Sequence, residues 1–116
     1  MKIRIKNLRV RTIIGINEWE REQKQEIIIN IEITFDGSKA VETDDIENTV
    51  NYKRIKRRVL EAAESANFFL LEKLSDHILQ IVMEDKKIYK AVVEIDKPHA
   101  LRFADSVSVI HEAHRE

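Results

Sequence analysis

The sequence predicts an α+β fold in which one antiparallel four-stranded sheet carries two helices on one face, in the order ββ-αα-ββ. Three observations predict it. Apolar residues alternate with period two in two early segments, the period turns helical from Asn51 to about residue 84, and it returns to two from Tyr89 onward. No internal repeat, low-complexity tract or linker interrupts this order, and 116 residues are the size of one domain, so residues 1–116 are expected to form a single domain.

The first strand covers 2–14. Ile3 and Ile5 share one parity while Leu8, Val10 and Ile14 share the other, which predicts a β-bulge near Lys6 and Asn7. Residues 15–24, "GINEWEREQK", read as a charged loop. The second strand, 25–35, sets Ile27, Ile29, Ile31, Ile33 and Phe35 against Glu26, Asn30, Glu32 and Thr34. A helix then starts at Asn51, a suitable N-cap, with Ile55, Val59, Ala62 and Ala66 on one face. A second helix over about 70–84 faces inward through Leu71, Leu74, Ile78 and Ile81 or Val82. Tyr89, Ala91, Val93 and Ile95 mark the third strand, and Val107 and Val109 begin the fourth. The other sheet face would carry Ile13, Ile28, Val92 and Ile110, and a four-stranded sheet leaves two edges open. Both features favour a homo-oligomer joined edge to edge.

Composition excludes several classes of function. The chain is 43% hydrophobic and 35% charged, and its 20 basic residues balance 21 acidic ones to a net charge of −1. Such balance gives no case for a nucleic-acid partner. The absence of cysteine excludes disulfides, a thiolate nucleophile and thiolate metal sites, and fits a reducing compartment. "MKIRIKNLRV" alternates charged with apolar residues and has no h-region, so neither a signal peptide nor a membrane span is expected; a soluble cytoplasmic protein is.

Two side chains stand out chemically. Lys97 ends a strand that reads as buried on one face, and Pro98, the chain's one proline, stiffens the backbone behind it; partial desolvation there would make the amine a usable acid or base. Glu72, in "FFLLEKL", lies near a helix start behind four large apolar residues, close to the core. Such a carboxylate can cap the helix or accept two parallel hydrogen bonds from a planar N–H edge. Glu20 and Glu22, beside Trp19, read by composition as solvated loop residues. His77, His99, His111 and His114 have no metal-ligand spacing, and the last two fall near a terminus expected to fray. There is no Walker A motif and no GxGxxG; "YKRIKRR" (52–58) reads as a solvated helix face.

Taken together, "IGINEWEREQKQ", "DDIENTVNY", "FFLLEKL" and "IDKPHALRFADSVSV" resemble, in this order and at fitting spacing, the dihydroneopterin aldolase and epimerase family over nearly the whole chain. The opening "IRIKNLRVRTIIGI" and the closing "EIDKPHALRFADSVS" look most like its dihydroneopterin triphosphate 2′-epimerase branch. In aldolases the lysine is more often followed by proline and glycine; here His99 stands at the glycine's place. The resemblance implies the tunnelling fold, whose subunits close a sixteen-stranded barrel by fours, commonly stacked as an octamer, with active sites between neighbours. It implies a pterin substrate and no metal or organic cofactor. It implies Lys97 as the catalytic lysine, Glu20 as the active-site glutamate of the first loop, and Tyr52 as a tyrosine delivered from the neighbouring subunit. Leu71 and Glu72 would anchor the pterin through backbone and carboxylate, and Arg102 is the nearest candidate for a phosphate tail. The implied reaction is epimerisation at C2′ of 7,8-dihydroneopterin triphosphate; an aldolase and a non-catalytic pterin-binding module are the alternatives.

Overall fold

The computed structural model describes residues 1–116. Four strands, β1 (Lys2–Thr12), β2 (Gln25–Phe35), β3 (Ile88–Pro98) and β4 (Ser106–His114), form one antiparallel sheet in sequence order, with β1 and β4 at its edges. The short helices α1 (Glu18–Glu22) and α2 (Ser38–Thr43), then a 3₁₀ turn at Ile46–Asn48, precede the long helices α3 (Tyr52–Glu64) and α4 (Leu71–Val82). No helix is long and apolar enough to cross a membrane.

The parity slip in β1 is a bulge: Ile5 pairs with Ile31 and Leu8 with Ile29, so Lys6 and Asn7 together oppose Asn30. Asn7 takes φ 54°, and its N–H donates to Asn30 Oδ1 at 2.9 Å, which satisfies the group the bulge frees. The slip keeps Ile3, Ile5, Leu8 and Val10 all on the helix-facing side. In β2 the odd-numbered residues Ile27 to Phe35 are buried without exception. Asn51 caps α3, its Oδ1 accepting from Arg54 N at 3.1 Å.

Some expectations need correction. The first strand stops at Thr12, so Ile13 belongs to no strand face. The buried stripe of α3 is Ile55, Val59 and Ala63, not Ala62, and the helix has ended before Ala66. The charged loop contains α1, and α2 was not foreseen because none of its residues is buried. His111 and His114 do not lie in a frayed end: they pair within β4, opposite Val93 and Lys90.

The sheet's second face is mostly charged. Lys2, Arg4, Arg9 and Arg11 on β1 lie opposite Thr34, Glu32, Ile28 and Glu26 on β2. Ile28 and Val92 are half-buried there, and Ile110 is 65% exposed. The molecule is 52 Å long, and β3 runs between two distinct ends. At its start Lys87 Nζ donates to Thr49 O at 3.2 Å; at its close stands Lys97.

Candidate active site

Lys97 Nζ donates to Glu20 Oε2, closing an ion pair between β3 and α1 whose side chains are 13% and 5% exposed. Glu20 is therefore not solvated, as composition alone suggested, whereas Glu22 is. Every oxygen of the Glu20 carboxylate is engaged. Oε1 accepts from the Asn17 backbone N–H at 3.2 Å and from Asn17 Nδ2 at 2.8 Å. Oε2 accepts from Gln25 Nε2 at 3.0 Å as well as from Lys97. Gln25 is itself fixed, since the same amide donates to Ile14 O at 2.9 Å.

Gly15 makes room for this carboxylate. Its φ is +120°, and a Cβ placed there would fall 2.2 Å from Glu20 Cδ and Oε2. Burial alone would raise the Glu20 carboxyl, and it is the largest single influence. The hydrogen bonds from Lys97, Gln25 and the Asn17 backbone, with the charge of Lys97, together outweigh it and hold the group at about 2. Lys97 is thus largely desolvated at the strand's end, and a charged partner, which the strand pattern did not reveal, meets it there. The carboxylate fixes the Lys97 amine at the end of β3, nearly out of solvent, where that amine can exchange a proton with a bound molecule.

Glu72 sits on the first turn of α4. It is exposed rather than close to the core, and its carboxylate makes no ion pair. Leu71 beside it is buried, and the cap residue Leu70 offers no side-chain acceptor to the first-turn N–H groups. A planar ligand edge can therefore meet a free carboxylate and free backbone donors at one place.

Tyr52 is not brought to this end. It opens α3, half exposed, over a depression of about 450 Å³ lined by Ile46, Thr49, Val50 and Lys53. The far end of α3 leads to the Lys97 end of the molecule, and the helix itself spans about 18 Å. A second cavity, of about 530 Å³, is also at the Tyr52 end, lined by Arg54, Arg58, Lys86 and Lys87 among others, and does not contain the Lys97–Glu20 pair. Of the basic run, Arg58 pairs with Glu84, while Lys53, Arg54, Lys56 and Arg57 are exposed.

Arg102 lies in the exposed hairpin loop between β3 and β4, its guanidinium 5.1 Å from the Phe103 ring centroid; Phe103 is 97% exposed. His99 has φ 61°, a left-handed conformation that glycine adopts without strain. The position after Pro98 is thus one where the backbone favours glycine. Sequence reasoning missed Gly15, Asn17, Gln25 and Arg21. Only Gly15 left a signal, as one of two glycines in the chain.

The family model for dihydroneopterin aldolase (FolB) matches residues 3–112. The dihydroneopterin triphosphate 2′-epimerase of Pseudomonas aeruginosa PAO1 is 46% identical over 114 residues, 98% of this chain and 93% of that one. Its counterpart in Escherichia coli K12 is 47% identical over 107 residues, 92% and 89% of the two chains. The dihydroneopterin aldolase of the same strain is 30% identical over 108 residues, 93% and 88% of the two. The crystal structure of the E. coli dihydroneopterin aldolase in complex with neopterin superposes with a TM-score of 0.92 at 28% identity, covering 97% of this chain and 98% of that one.

Proposed function

The chain belongs to the dihydroneopterin aldolase family, and from that premise we propose that it inverts C2′ of 7,8-dihydroneopterin triphosphate through reversible retro-aldol cleavage. The observation that carries the chemistry is the buried Lys97–Glu20 pair. A dihydropterin already holds a C=N bond beside its side chain, so the C1′–C2′ electrons can flow into the ring without a lysine Schiff base. Lys97 then acts as a proton-transfer group, working with an ordered water while Glu20 holds the amine in place. Removing the 2′-hydroxyl proton breaks C1′–C2′ and leaves an aldehyde beside a ring-bound enamine. Re-addition of the enamine to the aldehyde's other face inverts C2′; protonation of C1′ followed by aldehyde loss is the aldolase outcome.

Glu72 and the Leu71 backbone hold the pterin ring in this reading, and Arg102 meets the triphosphate. Identity near 46–47% to epimerases against 30% to an aldolase, over similar lengths, favours the epimerase. The aldolase stays as second reading, because the neopterin-bound aldolase shares the fold over nearly the whole chain. Tyr52 is a helix length from the end that holds Lys97, so its part in the reaction requires a second copy of the chain, and β1 and β4 offer the open edges through which copies can join. An octamer of two stacked barrel rings is the proposed assembly; light scattering that gives a monomer at micromolar concentration removes the shared site.

Incubation with dihydroneopterin and, separately, its triphosphate, followed by product separation, tests the function. A 2′ epimer of the triphosphate is expected. Glycolaldehyde or its phosphorylated counterpart would mark an aldolase, and binding without change would mark a pterin-binding module.

A further inference from the structure

Residues 66–70, between α3 and α4, have no regular structure, yet they lead directly into Leu71 and Glu72. Their carbonyls are taken up from the β1–α1 limb. Ala66 O accepts from the buried Thr12 hydroxyl at 3.2 Å, Asn67 O from Arg21 Nη2, and Phe68 O from Arg21 Nη1 at 2.9 Å. The same Nη1 donates to Gly15 O at 3.0 Å, and the guanidinium carbon stands 4.1 Å from the centroid of the Phe69 ring. One side chain therefore joins the turn on which Glu20 packs to the approach to α4.

We propose that Arg21 is a positioning residue that fixes the distance between the Glu20–Lys97 pair and the Leu71–Glu72 anchor. The catalytic consequence rests on the epimerase reading; the clamp itself rests on the geometry. A substrate held by its ring at one place and attacked at its side chain at another depends on the spacing of the two, and a misplacement of about 1 Å can cost on the order of 10²-fold in rate. The guanidinium suits the task because its planar fork reaches three carbonyls at once, which an ammonium on a flexible stem does not. Two of those carbonyls belong to the anchor side and one to the Glu20 side, so the bonds span the gap rather than brace one wall.

The test compares Arg21→Met and Arg21→Lys in the full-length, assembled protein. Arg21→Met is expected to lower kcat for dihydroneopterin triphosphate by roughly 10–100-fold, with KM changed less than about threefold, because Glu72 still holds the ring. Added guanidinium ion should restore part of the lost kcat, and Arg21→Lys should fall between. Hydrogen exchange provides a reading independent of substrate: the amides of Asn17, Glu20 and Arg21 in one segment and of Ala66 and Leu74, which donate to Ala63 O and Leu70 O, in the other should lose protection together, while β2 keeps its own. Wild-type kcat in Arg21→Met, or a raised KM with kcat intact, overturns the proposal. So does loss of protection confined to one of the two segments. If the wild-type protein turns over no pterin, the epimerase reading falls, and exchange alone still upholds or overturns the clamp.

Discussion

Glu20 and Glu32 are both glutamates paired with a cation, and they sit in opposite situations. Glu32 lies on the open sheet face, where Arg4 Nε donates to it at 2.9 Å and Lys2 stands 3.9 Å away, with the Arg4 side chain 62% exposed. Arg9–Glu26 and Lys90–Glu112 on the same face are similarly solvated. Glu20 is 5% exposed at its side chain and is met by Asn17, Gln25 and Lys97 together. An exposed pair gains little, because water screens it and two long side chains must be ordered. A buried pair is costly unless its remaining lone pairs are satisfied, and here they are. Pairing as such does not mark a site; a desolvated charge surrounded by donors that the backbone has been shaped to supply does.

The largest effect should come from breaking the buried pair. Lys97→Ala should lose about 10²–10⁴ in turnover while pterin binding changes little, if Glu72 holds the ring as proposed. Steady-state kinetics beside equilibrium binding of a pterin separates the two quantities. Full activity would remove Lys97 from proton transfer and leave its pair with Glu20 no more functional than Arg4–Glu32.

Glu72 is a third kind of carboxylate, exposed and without a cation. Glu72→Gln should weaken binding of dihydroneopterin and its triphosphate alike, by on the order of 1.5–3 kcal/mol, through loss of a charge-assisted contact. Titration calorimetry with both ligands decides it; unchanged affinity for both ends the anchor assignment.

Acid sharpens the contrast next. The Glu20 carboxyl stands at about 2 in the folded protein against an ordinary 4.5, so below 4.5 the unfolded chain takes up the proton first. Its contribution is complete above 4.5 and is lost as the pH falls from there through 2, on the order of 3 kcal/mol in all. Denaturant midpoints compared at pH 6 and pH 3 should fall, and Glu20→Gln should flatten that slope. Glu32 is also held below its usual range, first by the Arg4 hydrogen bond, but in solvent its removal should leave the slope intact.

How much of this could be read beforehand follows the same division. The β2 strand was legible because one face is uniformly apolar, and the bulge at Asn7 because a single extra residue reverses parity. Lys97 was legible as a strand-end amine before a proline. α1 was not, since a five-residue helix whose one buried member is a glutamate has no apolar stripe. Glu20 looked solvated because what buries it includes a lysine 77 residues away; only the family resemblance pointed to it. Arg21 left no trace at all, since its hydrogen-bond partners are backbone carbonyls, and any sequence can present those.

The smallest effect should come from the open face. Arg9 Nη1 donates to Glu26 Oε1 at 3.1 Å, and the two side chains are 60% and 49% exposed. Arg9→Ala should shift the melting temperature by no more than about 2 °C and leave turnover unchanged. Assembly should not alter this, because a sixteen-stranded barrel would leave its inner face on a water-filled interior. Thermal melts of Arg9→Ala, Glu26→Ala and the double variant isolate the pair from each residue's own packing. A coupling as large as that lost in Glu20→Gln would mean the face is desolvated by something the single chain lacks. The contrast between the two glutamates would then reflect the isolated subunit and not the working enzyme.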